Sequence, residues 1–235
     1  MKAKGVSWSL YFRNGLGRRL AMLGKRTGRD WLIYNPLVML QFHDQGLYNA
    51  PLVTSVILKS FPLAEAVLDV GCGTGVFTAE FARRGCRAVG LERSPHGRKL
   101  AFRQQVDCRD FDLTRVPPAE VPEKFDLVYC FEVAEHLPTE LGEKLVDYLC
   151  GFNSPVVFSA AQPGQGGTGH VNEQPPTYWV QRFEERGFRL EPMLTDKLRF
   201  GFRASNAAFW FQCNVIVLIP SAASLESAVP RCRVP

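Results

Sequence analysis

The run Val67-Leu68-Asp69-Val70-Gly71-Cys72-Gly73-Thr74-Gly75-Val76-Phe77-Thr78 decides the fold. It opens as a short apolar segment of the kind that makes a fully buried strand, with one acidic residue inside it. Three glycines at alternate positions follow, then Val76, Phe77, Ala79, Phe81 and Ala82 at the spacing of a helix's inner face. Strand, glycine turn and helix form a cradle in which backbone approaches a ligand closely, because no Cβ intervenes. The order Asp-x-Gly-x-Gly-x-Gly differs from the G-x-G-x-x-G of a dinucleotide site, and no basic residue stands nearby to meet a phosphate.

Outward from the cradle, residues 87–91 read as a second strand that ends in Glu92, 21 residues beyond Gly71. A carboxylate at that strand end accepts hydrogen bonds from both hydroxyls of a ribose. Ser94 is an N-cap candidate for a helix to about residue 104, and a third strand near 105–109 leads into Asp110-Phe111-Asp112-Leu113-Thr114. Residues 125–130 read as a buried strand running into Phe131-Glu132-Val133-Ala134-Glu135-His136. A helix over 139–150, a fifth strand over 155–160, a glycine-rich loop over 162–174 and a helix over 175–186 follow. Strands near 188–190 and 211–219 complete the pattern, with 193–210 read as an insertion of aromatic and basic residues. Residues 31–63 are mostly helical in pattern and carry His43, Asp44 and Tyr48. Alternating strand and helix imply a doubly wound parallel sheet.

A chain of 235 residues holds one α/β domain with room for a covering extension. No apolar run reaches the length of a transmembrane helix. Seven cysteines, scattered singly, argue for reduced thiols in a cytosolic protein. Residues 1–29 hold eight basic residues and no acidic one, so the net charge of +5 resides in this leader and the remainder is slightly acidic. The leader reads as a disordered solvated segment, a basic amphipathic helix that meets an anionic membrane surface, a transit peptide or a nucleic-acid arm. The expected organisation is therefore a basic leader over 1–30, a domain over 31–220 and a disordered tail over 221–235.

The glycine loop resembles motif I of the class I methyltransferases, the block after the fourth strand resembles their motif IV, and the acidic end of the second strand falls where that family needs it. That resemblance implies a mostly parallel, seven-stranded Rossmann-like sheet with N-terminal covering helices, and S-adenosylmethionine as cofactor. It places Asp69, Gly71, Cys72, Gly73 and Gly75 at the methionine end, Glu92 at the ribose, Asp112 and Leu113 at the adenine, and Phe131 in the same site. Asp110 is the second choice for the adenine, and a plain turn aspartate is the alternative to both.

In an open α/β sheet, ligands sit outside the carboxyl ends of the strands. The loops after the fourth and fifth strands bring Glu132, Glu135 and His136 towards His170, Asn172, Glu173 and Gln174. Methyl transfer to a hydroxyl requires alignment and removal of a proton, so His136 or His170 is a candidate base. Glu132, Glu135 and His136 also lie at i, i+3 and i+4, on one face of a helical turn. The Glu-x-x-Glu-His pattern is similar to that of ubiquinone-pathway O-methyltransferases and small-RNA 2′-O-methyltransferases. The resemblance implies that Glu132, Glu135, His136 and His170 hold Mg²⁺ or another divalent cation. Metal, histidine base and scaffold stay open as roles.

The loop from Gly164 to Gln174 is also similar to bacterial methyltransferase-domain proteins that accompany glycan or natural-product biosynthesis. The expected function is O-methylation of a small polar acceptor, either a glycan or a secondary metabolite. An RNA 2′-O-methyltransferase and a non-catalytic cofactor-binding scaffold are the rivals. The slightly acidic surface outside the leader disfavours nucleic acid. The expected location is the cytoplasm, with peripheral membrane contact through residues 1–29.

Overall fold

In the computed structural model the described residues are 8–115, 121 and 123–221. Seven strands form one sheet: β1 (Ala66–Val70), β2 (Arg87–Glu92), β3 (Asp107–Asp110), β4 (Leu127–Phe131), β5 (Val156–Ser159), β6 (Phe188–Leu190) and β7 (Ile216–Pro220). Their order is β3-β2-β1-β4-β5-β7-β6, parallel throughout except for β7, which runs antiparallel to both neighbours. The topology reverses between β1 and β4, so the loops after these strands open on opposite sides of one crevice.

The central strands are buried on both faces, and their period of two sorts side chains into two cores. Leu68, Val128 and Phe158 face one layer with Leu145 and Leu149 of α6 (Thr139–Cys150) and Trp179 and Phe183 of α7 (Pro176–Glu184). Val67, Leu127 and Val157 face the other, with Val53 and Ile57 of α3 (Pro36–Ser60) and Phe81 of α4 (Val76–Arg83). Leu198 and Phe202 of α8 (Pro192–Ala204) and Phe211 of α9 (Phe209–Asn214) complete that second layer. The remaining helix of the sheet layers, α5 (Pro95–Arg103), starts at Ser94, whose hydroxyl accepts from the Gly97 amide as expected of an N-cap.

Three stretches take a form that the pattern alone left open or read otherwise. The insertion at 193–210 is α8 and the start of α9: Thr195, Leu198 and Phe202 recur at helical spacing and are buried, while the basic residues lie between them. Gly201 permits the close approach, since a Cβ there would strike Val56 of α3. Phe211 to Asn214 are helical rather than the start of the last strand, because Phe211 fills a cluster with Phe77, Phe131 and Phe202. Of the readings open for the leader, a helix is the one found from residue 8: α1 (Trp8–Thr27) packs on α2 (Asp30–Ile33) and α3. Gly17 and Gly24 are the reason, since a Cβ at Gly17 would press on Leu37 at 3.1 Å and one at Gly24 would lie 2.8 Å from the Ile33 amide. The Asn35 side chain locks the corner, donating to the Gly17 and Leu32 carbonyls while accepting from the Leu37 and Val38 amides. The tail expected over 221–235 lies outside the described residues after Ser221.

Candidate active site at the strand ends

Gly71 and Gly73 both take positive φ, +81° and +57°, which only glycine adopts without strain, but they do different things. A Cβ at Gly71 would strike the Val133 side chain, so its bareness lets the loops after β1 and β4 approach each other. Gly73 faces open space, and it is the place where a ligand can lie against backbone. Gly75, expected at the methionine end, is the N-cap of α4 and packs instead on Ala101 and Val106. Glu92 organises the loop: its carboxylate accepts from the Gly73 amide at 2.8 Å and from the Ser94 amide at 2.6 Å. Burial pushes the Glu92 carboxyl above the usual range, and those two amides oppose the rise.

Asp69 lies beneath the cradle and accepts from the Thr78 hydroxyl at 2.6 Å. Burial raises its pKa to about 7, with the Thr78 hydrogen bond pulling the other way. The Tyr129 hydroxyl lies against the same carboxyl outside hydrogen-bond geometry. Cys72 has its thiol 3.5 Å from that of Cys108, and Gly90 on the intervening strand leaves room for the contact. Asp112 accepts from the amide and hydroxyl of Thr114 and sits beside Arg93 and Arg115; Leu113 packs on the core below it.

A cavity of about 420 Å³ runs from this cradle to the loops after β4 and β5. Asp69, Gly71, Cys72, Gly73, Phe131, Glu132, Glu135, His136 and His170 all line it. Gly75, at the start of α4, lies outside its walls, as do Glu92, Asp112 and Leu113 along the edge where β2 and β3 end. Sequence reasoning missed the roof. Gln41, Gln45 and Asn49 of α3 line the cavity at successive i, i+4 positions, a polar stripe on an otherwise apolar helix that was open to detection. Arg18 of α1 joins them, whereas His43 stands behind the wall against the hydroxyl of Thr74, a lining residue, and Tyr48 meets Asn206 away from the cavity.

The far end of the cavity holds a compact set of titratable groups. His136 and His170 stand edge to face with ring centroids 4.8 Å apart. Ligand atoms of Glu135, His136 and His170 all lie within 4.8 Å of one another. Glu132 does not join them on a helical turn as expected: it takes φ +53° at the end of β4, and only Ala134–His136 is helical, as a short 3₁₀ turn. The left-handed backbone sends the Glu132 carboxylate to the side chains of Asn214 and Gln165 instead. Glu173 holds His170, its carboxylate accepting from Nδ1 at 2.8 Å while also accepting the Gly164 and Gly166 amides. That hydrogen bond lowers the Glu173 pKa and fixes the imidazole tautomer, leaving Nε2 without the Nδ1 proton. On the opposite side, the Lys25 ammonium of α1 donates to the His170 carbonyl at 3.1 Å.

Two members of the set are buried without compensation. Neither Glu135 oxygen nor His136 Nδ1 finds a hydrogen-bond partner. Burial pushes the Glu135 carboxyl well up, and Glu132 beside it adds to the rise; burial takes His136 down to about 4, so it is neutral at physiological pH. In the folded chain Glu135 therefore keeps a proton that the unfolded chain releases above the ordinary 4.5, and stability falls as pH rises from there towards the folded value. Glu135→Gln mimics the protonated acid without that penalty. In metal-free buffer at neutral pH it should raise the melting temperature by about 3 °C or more, measured by calorimetry; a lower melting temperature would contradict the burial argument.

Residues 43–143 match the methyltransferase-domain family. The matched stretch runs from within α3 to within α6 and takes in the glycine cradle and Glu92. The ubiquinone biosynthesis O-methyltransferase of Leptothrix cholodnii is 35% identical over 81 residues, which cover 31% of this chain and 33% of that enzyme. Its counterpart from Hahella chejuensis is 39% identical over 80 residues, covering 31% and 32%. The chain thus spans about a third of the length of the curated relatives it matches. In structure it is similar to PigF with bound S-adenosylhomocysteine (TM-score 0.58, 17% identity, 90% of this chain and 70% of that one). It is similar also to the sugar N-methyltransferase KedS8 from a Streptoalloteichus species (TM-score 0.56, 17% identity, covering 94% and 95%). At such identities the likeness concerns the fold, and the seven-stranded sheet agrees with it.

Proposed function

We propose that the protein transfers a methyl group from S-adenosylmethionine to a hydroxyl of a small polar acceptor. The observation that carries the reading is one cavity with the glycine cradle at one end and the His170–Glu173 pair at the other. Gly73 offers its open face to the methionine portion of the cofactor, Glu92 its remaining lone pairs to the ribose, and Asp112 with Leu113 the adenine edge. The ubiquinone-pathway relatives carry the word O-methyltransferase in their names, and the histidine pair is the chemistry an oxygen acceptor needs.

In this mechanism the cavity aligns the acceptor oxygen with the sulfonium methyl for an in-line displacement. The acceptor hydroxyl gives its proton to His170 Nε2, and Glu173 stabilises the imidazolium through Nδ1. His136, neutral and half-buried, offers a second ring nitrogen beside it. Alternatively, with His170 Nε2 as a ligand in place of a base, the unpartnered Glu135 oxygens and His136 Nδ1 would suit a divalent cation held by Glu135, His136 and His170. Two imidazoles and a carboxylate suit a borderline or hard ion. Such an ion would supply Lewis acidity that favours the alkoxide form of the acceptor.

Calorimetric titration with S-adenosylhomocysteine, repeated with EDTA and then with Mg²⁺ or Mn²⁺, tests this reading. One-to-one binding supports the cofactor site, and absence of binding overturns it. A rise in melting temperature with the ion that disappears in Glu135→Gln supports the metal; an unchanged melting temperature leaves His170 as a base without an ion. A second test concerns position. A Cβ on Gly167 would drive into the His170 ring, which Glu173 holds in place. Gly167→Ala should leave S-adenosylhomocysteine affinity unchanged and lower methyl transfer on the order of a hundredfold. Equal losses in both would place Gly167 in the cofactor site instead.

A further inference from the structure

We infer that α1 is a docking face for an anionic lipid bilayer. The helix's inward side is fixed by Gly17, Ala21 and Gly24, which meet α2 and α3 at close range or are buried. Residues 100° apart around the axis then leave Arg19 and Arg26 on the opposite side, with Met22 and Leu23 flanking them and Leu16 at the border. The three apolar side chains are exposed, at 54%, 60% and 49% for Leu16, Met22 and Leu23. Trp31, just beyond the helix in α2, is 63% exposed. Apolar residues that protrude between arginines, with no acidic residue in the first 29 positions, form the pattern that sinks into a headgroup layer. Charge complementarity selects the occupant: an anionic surface satisfies the arginines, and a hydrocarbon boundary takes Leu16, Leu23 and Trp31. A nucleic-acid backbone would use the arginines alone and leave those side chains in water.

Docking would have a consequence for the cavity. The helix that carries this face also supplies Arg18 to the cavity lining and ties the His170 loop through Lys25. An acceptor carried in the bilayer surface would therefore enter beside the helix that touches the membrane. This consequence rests on the methyltransferase reading; the docking itself does not. Among the described residues no helix is long and apolar enough to cross a membrane, so the contact is one of surface attachment.

The test is co-sedimentation of the full chain with vesicles of phosphatidylcholine alone and of phosphatidylcholine mixed with phosphatidylglycerol. The wild type should bind the mixed vesicles and release them as salt rises. Arg19→Gln with Arg26→Gln should weaken binding about thirtyfold, and Leu16→Ser with Leu23→Ser should weaken it by a similar factor. Both double variants should keep wild-type affinity for S-adenosylhomocysteine, which separates loss of docking from loss of fold or cofactor site. No binding of the wild type to mixed vesicles overturns the inference. So does binding that survives both double variants. Retention on duplex RNA that the arginine pair abolishes and the leucine pair leaves intact also overturns it, in favour of a nucleic-acid surface.

Discussion

Replacing Glu92 by alanine should weaken S-adenosylhomocysteine binding by about a hundredfold to a thousandfold. Two effects add. The ribose hydroxyls lose a charged acceptor, and hydrogen bonds to charged groups are the stronger kind. The glycine loop also loses its tie, because Glu92 now holds the Gly73 and Ser94 amides. Glu92→Gln separates the two: its amide oxygen can keep one loop amide while the ribose loses the carboxylate. Calorimetric titration of wild type, Gln and Ala variants should therefore give a graded series with Ala weakest. A variant with wild-type affinity would mean that the cofactor does not reach the end of β2. Since Glu92 lies outside the cavity walls, that outcome would also detach the ribose from the place the family resemblance gives it.

His170→Ala should lower methyl transfer by a hundredfold to ten-thousandfold, on the order expected for a lost general base, and leave S-adenosylhomocysteine affinity within about twofold. The separation arises because His170 stands at the far end of the cavity, against His136, while the cradle is built by the loop after β1. Glu173→Gln is the companion measurement. It weakens the acceptor of the His170 Nδ1 proton and of the Gly164 and Gly166 amides, so it should lower turnover less than His170→Ala does. Transfer of tritium from labelled S-adenosylmethionine to an acceptor panel reads both. Turnover that is indifferent to His170 would make the pair a scaffold for the loop after β5.

The sequence made the sheet and the cradle legible because their signals are local. A buried strand followed by Gly71, Gly73 and Gly75 carries its conformation in its own residues, and Glu92 follows at the end of the next such strand. The three glycines nonetheless divide into a loop contact, an open face and a helix contact, and only neighbours distant in sequence decide which is which. Glu132 shows the same limit: i, i+3, i+4 spacing suggests a helical face, but its left-handed backbone turns it towards Asn214 and Gln165. The roof was the least legible part. Arg18 and Lys25 reach the site from a helix whose position depends on Gly17, Gly24 and Asn35 forming a tight corner, a tertiary event with little trace in composition. Glu173 was visible as a neighbour of His170, whereas its hold on two loop amides was not.

The most direct test of the central claim is a crystal structure of the protein soaked with S-adenosylhomocysteine. The account predicts the homocysteine portion against Gly73, the ribose hydroxyls on Glu92, and the thioether sulfur facing the His136–His170 pair across the cavity. A sulfur turned away from that pair, or a ligand seated anywhere other than the crevice between β1 and β4, would contradict it.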